Sequence, residues 1–211
     1  MRRFRPETTS VGNDSWLAED FETGTHAGGY LLNSIQLALT NALGNPSGFT
    51  AMIYDVNPRI VGGAVPGTSL GTLNGSLDPV AVGIYTYNPA STLTLSPGTT
   101  YFIVLTAGTA VADGAYQWSV TSTHAPTVSG GWTGDHNLLS SSDGLNWGPV
   151  GLAFAQFAIS ATAVPEPSTL GLLALGGFFL VWQRWKARAL DASWKHGPLL
   201  SWPWRFPRTG G

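Results

Sequence analysis

Between Asp20 and Thr162 the chain nowhere sustains ten residues of amphipathic helical spacing; its apolar residues come in short runs, each cut off by turn chemistry. "SIQLALT" sets Ile35, Leu37 and Leu39 on one face with Gln36 between them, a period of two that describes a half-buried strand. Runs of the same kind follow at "FTAMIYDV", "VAVGIYTY", "STLTL", "TYFIVLTA", "AYQWSVTS" and "LAFAQFAISAT". Between them stand "NPSG", "SPGT", "ADGA" and "SDGLNWG", where Gly and Asn tolerate positive φ and Pro fixes a turn corner. The clearest unit is "LTLSPGTTYFIVLTAG", in which a strand ends at Leu95, Ser96-Pro97-Gly98 reverses the chain, and Tyr101 to Leu105 reads as a core strand. Seven or eight such strands predict an all-β fold, an antiparallel β-sandwich or jelly-roll-like domain over residues 20–162. A short C-terminal hydrophobic helix follows it. No repeat of solenoid or propeller period is present.

Charge narrows the function classes. Only 10% of residues are charged, less than half of the ~25% usual in soluble domains. Between Pro6 and Gln183 the one cation is Arg59, whereas Arg184, Lys186, Arg188, Lys195, Arg205 and Arg208 crowd the end. A nucleic-acid surface needs clustered Lys and Arg, so no nucleic-acid partner is expected. The absence of cysteine excludes a disulfide frame, a thiolate metal site and a Cys nucleophile.

The two ends differ from the body. Residues 1–19 carry the arginines of a signal-peptide n-region without an apolar h-region, so the segment reads as lacking a complete signal peptide. At the other end, Pro165 and Pro167 hold Val164-Pro165-Glu166-Pro167 extended, and Ser168 or Thr169 can cap a helix running from Leu170 to Trp182 without a charge. Such a helix spans about 20 Å against a hydrocarbon core of roughly 30 Å. By length alone it suits a buried helix better than an anchor. Trp182 and Trp185, followed by Arg184, Lys186 and Arg188, instead fit an interface belt and a cytoplasmic stop.

"VPEPSTLGLLALGGFFLVWQRWKAR" resembles the PEP-CTERM sorting signal of Gram-negative bacteria: a box, an apolar helix and a basic cluster. The resemblance, over residues 163–188, implies a recognition box of Val164, Pro165, Glu166, Pro167 and Ser168, a transient inner-membrane anchor, and a stop of Arg184, Lys186 and Arg188. It implies processing by an exosortase-type membrane protease or transpeptidase, and export to the cell surface or extracellular matrix. The body resembles a choice-of-anchor domain of the R type through "GGYLLNSIQLAL", "PGTSLGTLNGS", "LSPGTTYFIVL", "GAYQWSVTST", "SSDGLNW" and "FAQFAIS". That likeness implies a noncatalytic β module with no cofactor. Residues 189–211, rich in Trp, Pro and Arg without periodicity, are expected to be a disordered tail.

Other chemistry finds thinner support. "GTSLG" matches the nucleophile-elbow pattern around Ser69, but it lacks the strand before and the helix after that such an elbow needs. His124, Asp135 and His136 have no zinc-site spacing, and the remaining histidines, His26 and His196, stand apart. Asp113, Asp135 and Asp143 sit beside Gly, where Asp serves turns rather than glycoside hydrolysis. Glu19, Asp20 and Glu22 form an acidic knot without calcium-loop spacing. No metal site is expected. Trp132 and Trp147, in Gly-flanked loops, raise the alternative of a module binding carbohydrate, an exopolysaccharide, through exposed aromatic faces; Trp118 alternates with polar residues and is expected in the core.

Overall fold

The computed structural model describes residues 7–57, 63–122, 129–134, 138–150 and 153–166, together with 171, 172, 175, 177–179 and 181–184. Its strands are β1 (Glu7–Val11), β2 (Trp16–Glu22), β3 (Tyr30–Gly44), β4 (Thr50–Val56), β5 (Pro66–Asn74), β6 (Gly83–Pro89) and β7 (Thr94–Leu95). There follow β8 (Thr100–Thr106), β9 (Gly114–Thr121), β10 (Leu139–Ser141), β11 (Gly148–Pro149), β12 (Phe154–Ala155) and β13 (Phe157–Ala163). Every pairing among them is antiparallel. All seven runs named above are strands. The order is β1-β9-β3-β6-β5-β4-β8-β2-β10-β11, with β12 on β9 and both β13 and β7 on β3.

The sheet is curled. Among the described residues the strand ladder that joins its two halves is the short β5–β6 pair, in which Leu73 faces Pro89 and Asn74 faces Asn88. Ile35, Leu37, Leu39, Tyr116 and Trp118 from one half meet Leu17, Phe21, Ile53, Ile103 and Leu105 from the other in one buried cluster. Alternation explains which side chains enter it, because successive Cβ atoms point to opposite faces. In β3 the alternation slips between Leu32 and Ile35: both are buried, and their partners on β13 are Ala161 and Ile159, only two residues apart. This bulge inserts one residue and so keeps both flanking apolar sets inward.

Residues 7–19 were assigned to the N-terminal segment by sequence, yet β1 and the first half of β2 lie there and belong to the body. β1 covers the edge of β9, where Gln117 donates to Ser10 Oγ at 2.8 Å and accepts from Thr8 Oγ1 at 3.0 Å. Those bonds satisfy a buried amide that would otherwise be costly. β2 is buried on both faces. Leu17, Glu19 and Phe21 point to the interior, opposite Leu105, Ile103 and Tyr101 of β8. Ala18 points the other way, into a second cluster with Met52, Phe102, Val104 and Leu139. The apparent acidic knot is therefore dispersed by strand geometry: Glu19 enters the core, Asp20 turns to the opposite face, and Glu22 pairs with Thr133.

Candidate functional site

The body ends in β13, a strand paired along β3 from Phe157 opposite Leu37 to Ala163 opposite Tyr30. None of its side chains is fully buried. The ladder continues one residue further, where the Val164 N–H donates to Gly29 O at 3.0 Å. Gly29 lies at φ +71°, a conformation open to glycine at little cost. Its own N–H donates to His26 O at 2.8 Å, closing the turn, and the His26 N–H donates to Tyr30 Oη at 3.2 Å. A Cβ at Gly28 would collide with the Val164 carbonyl oxygen, so the approach there depends on the missing side chain.

Val164 is thus held against the body half-buried, while Pro165 is exposed and Glu166 half-buried. The compact unit containing the β body closes at Pro165. Pro167 and Ser168 lie outside the described residues, as do Lys186, Arg188 and the tail 189–211. Every described residue from 171 to 184 is helical, including Arg184. Leu172, Leu175, Phe178, Phe179, Val181 and Trp182 are all exposed, from 54% to 77%. Among the described residues no helix is long and apolar enough to cross a membrane.

The tryptophans are placed differently from one another. Trp132 stacks on Phe21 (centroids 5.9 Å, 13° between planes) and meets Tyr30 edge-on at 5.0 Å, packing against the interior cluster. Trp147 packs against the second cluster, on the opposite face of the same strands. The two rings do not share a surface. Truncating Trp132 to Ala is expected to cost about 2 kcal/mol of stability, the worth of a half-buried aromatic contact set, measured by denaturant unfolding. Trp118 is fully buried and its indole N–H donates to Gln156 O at 3.1 Å.

The remaining candidates resolve into structure where they are described. Ser69 is an exposed residue within β5, opposite Tyr54 of β4, with strand and not helix after it. Asp143 accepts the N–H groups of Asn146 and Leu145 at 2.9 Å each and the Ser141 hydroxyl at 2.8 Å, bonds that hold its carboxyl well below the ordinary range. It closes the 141–146 turn. Asp113 sits in another turn, its N–H donating to Ala110 O. His124, Asp135 and His136 lie outside the described residues.

Glu19, in sequence only one member of an acidic knot, is a buried carboxyl in the fold. Burial pushes its pKa up from an ordinary 4.5 to about 8, the Ala155 N–H to Oε2 at 3.3 Å opposing and the neighbouring Asp20 adding to the rise. Its place in the alternation of β2, between inward Leu17 and Phe21, was the signal available.

Residues 163–184 match the PEP-CTERM protein-sorting motif. A motif of this kind implies an exported protein sorted to the surface by an exosortase-type system. Searches of curated proteins and of solved structures found no match to this chain.

Proposed function

We propose that this chain is a noncatalytic β module carried out of the cell and delivered to the surface or extracellular matrix of a Gram-negative bacterium, its destination written in residues 163–188. The observation that carries the reading is the coincidence of the sorting motif at 163–184 with the point where the folded body stops, at Pro165. A signal read by a membrane enzyme must be extended and reachable, and Pro165 is both exposed and unable to continue a helix from the residue before it. The helix beyond supplies apolar side chains for the inner membrane during export, and Arg184 begins the cationic stop. Its shortness suits a transient anchor, with Arg184, Lys186 and Arg188 snorkelling to the interface.

The body supplies a stable, Gly- and Thr-rich shell in keeping with its likeness to choice-of-anchor domains. Chemistry in this reading is done to the chain by its processing enzyme. The experiment is to follow the full-length chain in its host with Pro165, Glu166 and Pro167 replaced by Ala; retention of the precursor in the inner membrane is the expected result. An unchanged surface yield overturns the proposal.

A further inference from the structure

Resting on that reading, we propose that the Gly28–Gly29 turn is a dock for the sorting box, and that the processing enzyme acts only after Val164 has lifted off it. Two features of the dock are specific. Gly29 O accepts the Val164 N–H at 3.0 Å, and Gly28 offers no Cβ where the Val164 carbonyl lies. The turn is held from within: His26 O takes the Gly29 N–H, Tyr30 Oη takes the His26 N–H, and the Tyr30 ring abuts Trp132, which stacks on Phe21 in the core.

Enzymes that act on peptide bonds bind substrate as an extended strand through its main-chain N–H and C=O groups. The first residue of the box has that N–H engaged by the body. Phe157, Ile159 and Ala161 pack the earlier part of β13 on the core, but its last residues, Thr162 and Ala163, are exposed. β13 pairs only β3 among the described residues, buries no side chain fully, and near its end gains one side-chain bond, Asn33 Nδ2 to Thr162 Oγ1 at 2.9 Å. An edge strand of this kind opens locally without unfolding the domain. The final turns of the ladder therefore act as a latch on the signal, and the folded body sets how often the box is free. Gly28 and Gly29 are positioning residues.

The test uses the full-length chain in its host, with the precursor-to-mature ratio followed by pulse–chase. In Gly28→Ala the new Cβ displaces the Val164 carbonyl, and processing is expected to run about fivefold faster, the ordinary worth of one net hydrogen bond. A second arm tightens the latch. Leu31 and Thr162 are exposed and directly opposite in the β3–β13 ladder, and the chain has no other cysteine, so L31C/T162C joins the strands by a disulfide. Processing of the oxidised form should slow at least fivefold, and reductant should restore it, a reversal that a misfolded variant would not give. Wild-type rates for both Gly28→Ala and the oxidised double variant, while the Pro165-Glu166-Pro167 replacement still blocks processing, overturn the latch and leave the sorting signal standing. If that replacement also fails to block, the sorting reading itself falls and the latch with it.

Discussion

At pH 9 the Glu19→Gln variant is expected to be about 5 kcal/mol more stable than the natural chain, and at pH 4 to differ from it by no more than about 1 kcal/mol. The reason lies in β2, where strict alternation places one carboxyl between Leu17 and Phe21, facing the interior cluster. Oε2 keeps a single amide donor, from Ala155, too little to compensate for loss of water around a full charge. The carboxyl loses its proton near the ordinary 4.5 in the unfolded chain and at about 8 in the folded one. Between those values the folded state binds the extra proton, so stability falls as pH rises through that window. This contribution to stability is fully present below about 4.5 and fully lost above about 8. Glutamine keeps an acceptor for the Ala155 N–H and cannot ionise. Denaturant titrations of both chains in mild detergent from pH 4 to 9 should diverge steadily above 4.5; parallel curves would remove Glu19 from the interior.

The second large effect concerns the box. Replacing Pro165, Glu166 and Pro167 together by Ala should lower the yield of processed chain at least tenfold and leave unfolding of the body unchanged, because these residues follow the last strand and neither the Pro165 nor the Glu166 side chain enters either cluster. Alanine removes two φ constraints and the only carboxylate between the body and the helix, so the segment becomes free to join the helix that follows. A recognition enzyme then loses both the extended shape and the charge. Processing at the natural rate in this variant would mean that something other than the box is read.

How far the sequence foretold all this depended on how local each signal was. The sorting motif is a short linear pattern that needs no fold to be recognised, and over residues 163–184 it was legible from the sequence. Strands such as β3 and β8 announced themselves by alternation or by apolar continuity. β2 did not, because "WLAEDFE" sets three acids in one strand and buries two of them, Glu19 and Asp20, where a polar residue ordinarily argues for solvent. β5 hid in "PGTSLGTLN", whose Gly and Pro suggest a loop; its pairing with β4, shifted by bulges at Tyr54, is a tertiary fact. Trp132 and Trp147 looked alike in sequence because each stands beside glycine. What separates them is which face of the sheet each loop folds over, and that depends on strands distant in the chain. In sequence the Gly28–Gly29 pair merely heads "GGYLLNSIQLAL", and its approach to Val164 emerges only once β13 lies along β3.

The central claim is that the segment beginning at Val164 directs the chain out of the cell and is then acted upon. Intact mass measurement of the protein recovered from the cell surface tests it most directly. The account predicts a species shortened at its C-terminal end, beside the box and without Arg184 and the residues beyond. A surface or cytosolic species that retains the whole sequence through Gly211 would contradict it.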